Sequence, residues 1–499
     1  MVIKTQSRST RAKASMKHAD LIAIMPAIPA LVCDWRKSSF PPLTPPTCGE
    51  ARWGLSSIIL PMKKKAVRIP LYIFLGIAAL IGLYFLPPIH SRLSWRLDNL
   101  RTQIKYIFNP PDEAIFEPST PVPTEAVLQA TLAPTATPED DSTPVPTFTP
   151  TITPTALPTV VDLDGVIYVD QHGGYNYCGP ANLTMALKFW GWEGSRNDVI
   201  RAIKPGVADV KDFVQAGKGD KNVMPYEMVD FVNEQTEFQA LVRHGGDIDL
   251  IKRFVAAGIP IIVEKGYYEF DFNNSFGWMG HYQFVTGYDD SNGNFIVQDT
   301  YIDGPNFPIE YDQFEESWRS FNNQFVAVYP PELEQEILDL LGPWRDEVWA
   351  NQHALEIAEA EEPNLEGNKQ FFATFNQGTS LVNLQRYGEA AAAFDRAFSI
   401  YADLGLDDTN RPYRIMWYQT SPYWAYFYTG RYADVISLAN ITLSTPSTGE
   451  TLEESLYWRA MAEYATGDYV SAFADMREAV HLNPNFAPGL FYLEQWGVE

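Results

Sequence analysis

Residues 171–192, QHGGYNYCGPANLTMALKFWGW, set one cysteine at the start of an apolar segment. Gly179 and Pro180 follow Cys178 directly, and proline suits the first turn of a helix because the N–H that it lacks would have no partner there. Only three of the side chains in 181–190 are polar. The sequence therefore predicts a helix that begins near the cysteine and is buried on most of its sides.

The predicted position of the thiol favours reactivity. A cysteine at a helix N-terminus lies at the positive end of the helix dipole, which stabilises the thiolate and lowers the pKa of the thiol. Gln171, seven residues upstream of Cys178, carries an amide that can donate a hydrogen bond to an oxyanion. The alternative interpretation is a structural cysteine that packs as a small hydrophobic side chain.

Composition limits the classes of function. The chain has 499 residues, a length that corresponds to about three ordinary domains. Its 62 acidic residues outnumber 37 basic ones, and the resulting net charge of −25 repels the phosphate backbone of nucleic acids. The other cysteines, Cys33 and Cys48, precede residue 60, so the part of the chain around Cys178 supports no disulfide framework.

The beginning of the chain predicts a membrane anchor. Residues 69–86 are eighteen residues without a charge, they follow a lysine cluster, and two prolines end them, as in a membrane span. We predict an uncleaved signal anchor; a cleaved signal peptide competes, although no small-residue cleavage site follows Leu86. Residues 1–61 form an N-terminal extension without sustained periodicity, and Met62 is a candidate for the true start.

Two segments follow the predicted anchor. Residues 89–117 are predicted to be juxtamembrane, and the amphipathic pattern of 89–108 fits either a segment on the anionic membrane surface or a short stalk. Residues 118–160 are rich in proline and threonine, so they cannot bury enough apolar surface to fold and favour extended polyproline II. At roughly 3.1 Å per residue, this linker would hold the next domain on the order of 100 Å from the membrane. Such linkers are typical of bacterial proteins whose C-terminal part is outside the cell.

Residues 161–330 predict an α+β domain. A strand is expected at 166–171, helical patterns follow the cysteine helix, and strands come late in the domain. The dipeptide Asn292-Gly293 predicts a hairpin turn. The expected late strands are 259–266, 281–288, 294–300 and 323–330.

Residues 331–364 are predicted to be a helical connector, and residues 365–499 repeat a pattern of small and aromatic side chains. The pattern comprises Gly378, Tyr387, Ala390, Phe394, Ala397, Tyr432, Ala439, Ala460, Tyr469, Ala472, Ala479 and Pro484. It is similar to that of tetratricopeptide repeats, in which small residues let two antiparallel helices pack closely. The alternative is a generic bundle of helical hairpins.

A reactive thiol needs a base, and the chain has seven histidines. Four lie near the predicted anchor, in the connector or in the repeats. His172 and His244 lie in glycine-rich turns, and we interpret them as solvated loop residues. His281 opens a predicted strand and Asp299 ends the next one, so the hairpin brings a carboxylate to the imidazole. The candidate site residues, in chain order, are Gln171, Cys178, His281 and Asp299.

The stretches QHGGYNYCGPANLTMAL and GHYQFVTGYDDSNGNFIVQDT resemble the papain-like bacteriocin-processing peptidase family and its stand-alone relatives. The resemblance covers about residues 166–330 and implies a papain-like fold that uses no cofactor and no metal. It implies that Cys178 is the nucleophile and His281 the general base and then acid. Asp299 would orient the histidine, and Gln171 would be the oxyanion donor, although papain-type spacing usually places this glutamine six residues before the cysteine.

The sequence thus predicts a multidomain protein with an N-terminal transmembrane helix, an α+β papain-like cysteine peptidase domain and an all-α tetratricopeptide repeat domain. We expect it to hydrolyse peptide bonds outside the cell membrane and to bind a protein partner through the repeats. Residues 269–280, EFDFNNSFGWMG, are expected to form a loop on one wall of the substrate cleft. The alternative is a catalytically inactive, peptidase-like scaffold protein at the cell surface.

Overall fold

The structure is a computed structural model that describes residues 115–118, 156–173, 176–205, 222–270, 276–405, 411–446 and 450–498. In it, the predicted cysteine helix is Cys178–Phe189 (α1). All its side chains from Cys178 to Leu187 are buried. The Asn182 amide donates to the carbonyl oxygens of Cys178 and Tyr282, both at 2.9 Å. These bonds let an amide donor lie in a buried helix, because a buried polar group without a partner is costly.

The elements around α1 alternate between helix and strand and then become entirely helical. In chain order they are β1 (Val160–Asp162), α1, α2 (Arg196–Ile203), α3 (Pro225–Gln235), β2 (Gln239–Arg243), α4 (Ile248–Ala256), β3 (Ile261–Phe270), β4 (Phe276–Asp289), β5 (Asn294–Gln298), β6 (Phe307–Glu310), α5 (Tyr311–Arg319), β7 (Phe325–Tyr329), α6 (Glu334–Leu341), α7 (Glu347–Glu361), α8 (Gly367–Asn383), α9 (Tyr387–Asp403), α10 (Ile415–Tyr418), α11 (Ser421–Tyr428), α12 (Tyr432–Ser444), α13 (Glu453–Thr466), α14 (Tyr469–Leu482) and α15 (Ala487–Trp496).

The strands form an antiparallel sheet in the order β2-β7-β3-β4-β5-β6, and β1 pairs with β4. The predicted turn at Asn292-Gly293 joins β4 to β5, with Gly293 in the left-handed region at φ +67°. β3 and β4 are longer than predicted, since residues 266–270 pair with residues 276–280. The expected loop at 269–280 is therefore largely hairpin, because its aromatic side chains continue the alternation of the strands.

The prediction of a strand at 166–171 is wrong. In this segment the Tyr168 hydroxyl donates to the backbone carbonyl of Asp299 at 2.9 Å, and the backbone N–H of Gln171 donates to the backbone carbonyl of Thr300 at 3.1 Å. These isolated bonds attach the segment to the chain beyond β5, without the ladder that defines a strand. The short strand β1 precedes it instead.

Apolar cores cover both faces of the sheet. Side chains of α1, α2 and α3 pack with Tyr282 and Phe284 on one face. On the other face, α4 and α5 pack with the sheet, and the connector adds Ile337, Leu341 and Trp344 to the same core. The connector therefore belongs to the core of the peptidase-like region rather than lying between two separate bodies.

The C-terminal region is helical, as predicted. Helices α8–α9, α11–α12 and α13–α14 pack as consecutive pairs, and α15 packs on α14. The second helix of each pair begins with a tyrosine: Tyr387, Tyr432 and Tyr469. Gly378 lies where α8 meets α9, and a Cβ atom there would be 2.6 Å from the Phe394 ring. This contact explains why a residue without a side chain occurs in the middle of α8.

Hydrogen bonds connect the helical region to both halves of the sheet domain. Asn322 donates to Ser380 at 2.9 Å, and the amide of Gln419 donates to the carbonyl of Ser320 at 2.6 Å. On the side of α1, the amide of Asn485 donates to the carbonyl of Ala202 at 2.8 Å. The sheet domain and the helices accordingly fall within one compact unit, Ser91–Glu499.

The predicted anchor at 69–86, the extension at 1–61 and most of residues 118–160 lie outside the described residues. Within the described ranges, we find no helix with the length and apolar character that a membrane crossing requires. Residues 115–118, at the end of the predicted juxtamembrane segment, are described and lie against the helical region.

Candidate active site

Cys178 is the first residue of α1, and its side chain is buried beside the sheet. The backbone amides of Gly179 and Tyr282 lower the pKa of its thiol, one from the helix N-terminus and one from β4. Pro180 occupies the same first turn, where the missing N–H is tolerated. The fold thus points two backbone donors and the positive end of the helix at one sulfur atom.

His281 lies on β4, and its imidazole lowers the pKa of the Cys178 thiol. Its Nε2 atom is 3.0 Å from Oδ2 of Asp299, and both side chains are less than 5% exposed. Because Nε2 faces the carboxylate, Nδ1 is the ring nitrogen that remains for the sulfur. The structure therefore brings three of the four predicted residues into one connected chain of side chains.

The charges in this chain reinforce each other. Burial alone lowers the pKa of His281, but the charge and hydrogen bond of Asp299 outweigh it and raise the pKa to about 9. Burial alone raises the pKa of the Cys178 thiol, but the hydrogen bond and charge of His281 reverse this effect and lower it. The site therefore favours a thiolate–imidazolium pair at neutral pH.

Asp299 is held as a carboxylate by several donors. The amide of Gln283 donates to Oδ2 at 2.7 Å, and the backbone amides of Tyr301 and Ile302 donate to Oδ1 at 2.9 and 3.0 Å. Burial raises the pKa of Asp299, but the imidazolium and these donors hold it well below its usual range. A carboxylate with this many donors keeps its charge and its position when the histidine changes protonation.

Gln283 is a site residue that the sequence analysis missed. It follows His281 by two residues on β4, so both side chains emerge on the same face of the strand. This period-two spacing was the available signal, because side chains two residues apart on a strand lie on the same face.

Gln171 is held at the edge of this arrangement. Its Oε1 accepts a hydrogen bond from the Thr300 hydroxyl at 2.7 Å, and its backbone amide bonds to the carbonyl of the same residue. With Oε1 engaged as an acceptor, the amide nitrogen is the side-chain group that can donate. Gln171 is thus attached to Thr300, the residue that follows Asp299 in the chain.

Glu264 is a second buried acid near the thiol, and the sequence analysis missed it as well. Its side chain is buried on β3, and the amide of Gln324 donates to it at 3.1 Å. Burial raises the pKa of Glu264 well above its usual range, and the charge of Cys178 is the second cause of this increase. A protonated carboxyl group is the form that can lie close to a thiolate without repelling it.

The two alternative histidines have different surroundings. His172 is an exposed loop residue, bonded through Nδ1 to Asp170 at 2.8 Å. His244, expected to be solvated, is instead partly buried and hydrogen-bonded to Gln324, and burial lowers its pKa to about 4. The cause is α7, which covers this turn so closely that a Cβ atom on Gly245 would be 2.9 Å from its backbone.

The expected cleft wall at 269–280 was also wrong in part. Trp278 is 1% exposed and packs against Phe321, Phe372 and Tyr418, the last two from the helical region. No local pattern in this strand predicts that C-terminal helices cover it. Trp278 therefore belongs to the interface with these helices, not to an open cleft.

Comparison with known proteins agrees with this geometry. The sequence model of the Peptidase_C39 like family matches residues 163–326. The chain contains a C39-like peptidase domain. No curated protein matches the chain.

Three solved structures are each similar to about a third of the chain. A putative C39-like peptidase from Bacillus anthracis is 17% identical, with 34% of this chain and 96% of that chain covered and a TM-score of 0.26. Xylellain, a cysteine protease from Xylella fastidiosa, is 16% identical; the match covers 35% of this chain and 87% of xylellain, with a TM-score of 0.27. The peptidase domain of Streptococcus ComA, a bi-functional ABC transporter involved in a quorum sensing pathway, is 16% identical. The match covers 34% of this chain and 98% of that domain, with a TM-score of 0.22.

The pairing of thiol and imidazole predicts a specific pH dependence. We expect the rate of Cys178 alkylation by iodoacetamide to reach half its maximum well below pH 8.5, the usual pKa of a thiol. In His281→Ala, burial remains while the imidazolium is lost, so the midpoint should move above pH 8.5. At pH 6 the variant should react on the order of 10² times more slowly.

Mass spectrometry of the peptide that contains Cys178 would give these rates separately from Cys33 and Cys48. His172→Ala is the matched control, because that histidine is exposed and bonded to Asp170. An unchanged midpoint in His281→Ala, with circular dichroism showing a folded protein, would contradict the pairing.

Proposed function

We propose that this protein is a cysteine peptidase in which Cys178 is the nucleophile, His281 the general base and acid, and Asp299 the residue that orients the imidazole. The observation that carries the proposal is the buried pair of His281 and Asp299, with 3.0 Å between Nε2 and Oδ2, whose imidazole lowers the pKa of the Cys178 thiol. The C39-like domain supports peptidase chemistry in general. The subtype that processes bacteriocin-like peptides remains part of the proposal.

The reaction follows from the positions of these groups. The Cys178 thiolate attacks the carbonyl carbon of the peptide bond, and the resulting oxyanion is stabilised by N–H donors at the start of α1 and by the amide of Gln171. His281 then donates its proton to the leaving amine, and a thioester between Cys178 and the acyl part of the substrate remains. Water attacks this thioester after giving a proton to His281, which releases the acid and restores the thiolate–imidazolium pair.

The four residues should rank in a defined order. Cys178→Ala should reduce peptide hydrolysis on the order of 10³-fold or more, and His281→Ala nearly as much, since the leaving amine loses its proton donor. Asp299→Asn should be roughly 10 to 100 times slower, because the ring loses orientation but no proton-transferring group is removed. Gln171→Ala should lower kcat more than it raises KM, since an oxyanion donor acts in the transition state.

A fluorogenic peptide library would provide the rates, and His172→Ala should keep the activity of the parent. An activity-based thiol probe would report on the same ranking before a substrate is known. If the parent protein labels no faster than free cysteine and cleaves no peptide, the protein is a peptidase-like binding or scaffold protein instead.

We also propose that the helical region consists of tetratricopeptide repeats that bind a protein. Support comes from the tyrosine that begins the second helix of each pair and from the small residues between paired helices. Ala390, Ala460 and Ala472 are fully buried at these contacts. Because the region is joined to both halves of the sheet domain, a protein bound there would lie close to the peptidase site.

The location of the protein is a further part of the proposal. We propose that residues 69–86 anchor the chain in the cell membrane and that the peptidase domain faces outward. The apolar stretch, the lysine cluster before it and the proline- and threonine-rich linker after it support this orientation.

Treatment of intact cells with an external protease should therefore cut the chain within residues 119–155 and give a shorter C-terminal fragment on a denaturing gel. A cytoplasmic protein followed in the same samples should stay intact. Protection of the domain in intact cells, or a mature N-terminus beyond Leu86, would contradict the orientation or the uncleaved anchor.

A further inference from the structure

A short segment far from the peptidase site in sequence is buried in the helical region. Phe116 is 2% exposed, and its ring lies edge-to-face against Phe398 of α9, with 4.9 Å between centroids. Tyr426 of α11 contacts the same ring at 5.9 Å. Phe116 thus fills a pocket between two consecutive helical pairs, which we call the aromatic pocket, lined by Phe398 and Tyr426.

The walls of the aromatic pocket are held in place by other contacts. The Tyr426 hydroxyl donates to Asp395 at 3.1 Å, and the guanidinium of Arg431 lies 4.3 Å from the centre of the Tyr426 ring. Arg431 is itself paired with Asp395 at 2.8 Å. Side chains fixed in this way lose little freedom when a ligand binds, so the pocket is preorganised for an aromatic ring.

The residues around Phe116 have the pattern of a bound peptide. Glu117, directly after the buried ring, is exposed, while Ile115 and Pro118 are half-buried. No described residue of this segment belongs to a helix or a strand. Its burial therefore comes from docking of one aromatic anchor and not from secondary structure.

We propose that the aromatic pocket is a peptide-binding site and that its occupant is the segment Ile115–Pro118 of the same chain. Residues 119–155 then connect two points on one compact unit, the docked segment and β1. The chain before Ile115 leaves from the helical region, so the linker does not set the distance between the unit and a membrane. Covalent linkage keeps the local concentration of the segment at about millimolar, and even a weak site stays filled.

The proposal can be tested by cutting the linker in the full chain. A recognition sequence for a site-specific protease is inserted after Ser142, and the cleaved protein is captured in detergent by a tag at its N-terminus. The C-terminal piece should be retained with the parent and lost roughly tenfold or more in Phe116→Ala, because the variant loses a buried ring. Glu117→Ala, which removes an exposed neighbour, is the matched control and should be retained.

A competition experiment needs no variant protein. A synthetic peptide of residues 111–122 should release the C-terminal piece from the captured parent, and the same peptide with alanine at position 116 should not. Release of the parent pieces on cleavage alone, equal retention in Phe116→Ala, or no release by the peptide would overturn the proposal.

A different contact joins the helical region to the peptidase site. Tyr418 of α10 lies over Gly280 of β4, where a Cβ atom would be 3.1 Å from its ring. The tyrosine ring also packs against Trp278 and Phe321 at 5.9 and 6.0 Å. Gly280 directly precedes His281, so Tyr418 fixes the backbone from which the imidazole extends.

From this contact we infer that Tyr418 is a positioning residue for His281; the inference rests on the proposed peptidase function. Tyr418→Ala should lower kcat about tenfold with little change in KM, and it should raise the midpoint pH of Cys178 alkylation because the imidazolium is less well placed. Tyr418→Phe keeps the ring and should restore most of both values. A merely structural contact would not move the alkylation midpoint of a folded variant.

Tyr413→Ala is the matched control, because a Cβ atom on Gly277 of the same strand would be 3.0 Å from the Tyr413 ring, and Gly277 is four residues from His281. Its alkylation midpoint should equal that of the parent. Equal shifts in both alanine variants, or no shift in Tyr418→Ala, would overturn the inference. The alkylation readout needs no substrate, so it separates failure of this inference from failure of the proposed peptidase function.

Discussion

The buried contact between His281 and Asp299 is the interaction on which the site depends. Removing a carboxylate from water costs several kcal/mol unless hydrogen bonds and an opposite charge replace the solvent. Here the imidazole, the Gln283 amide and two backbone amides supply these partners. The arrangement is possible because the β4–β5 hairpin returns the chain to the strand that carries the histidine.

The thiol depends on the same pair. A buried cysteine would ordinarily be less acidic than a solvated one, and helix α1 offsets this effect only in part. The imidazolium reverses it, and the imidazolium in turn exists at neutral pH because Asp299 stays ionised. The thiolate of Cys178 therefore depends on the imidazolium of His281, which in turn depends on the carboxylate of Asp299. This dependence explains why a buried site can hold a reactive sulfur.

The helical region bears on this site through packing rather than through chemistry. Helices from it cover Gly280 and Trp278 on one side and bond to the region around α2 on the other. The connector contributes Trp344 to the sheet core, with its indole donating to the carbonyl of Gly245 at 2.9 Å. The peptidase-like domain and the helices consequently stabilise each other, and Phe116 adds residues 115–118 to the same unit.

Local sequence determined the elements and the reactive groups. Pro180 and the apolar residues after it specify a helix that begins at Cys178, and Asn292-Gly293 specifies the hairpin, because both signals act through backbone dihedral angles over a few residues. Histidine and aspartate at the two ends of that hairpin were thereby predictable. The spacing of glycine, alanine and tyrosine in the last third of the chain likewise predicted paired helices.

Only the tertiary structure decided which surfaces meet. Burial of His244 by α7, of Trp278 by the C-terminal helices and of Phe116 in the aromatic pocket joins residues tens to hundreds of positions apart, and no short-range pattern encodes such contacts. The strand expected at 166–171 failed for the same reason, since strand formation requires a partner with free ladder positions and this segment makes isolated hydrogen bonds to Asp299 and Thr300 beyond β5. Sequence thus set the chemistry of the site, while long-range packing set its exposure and its partners.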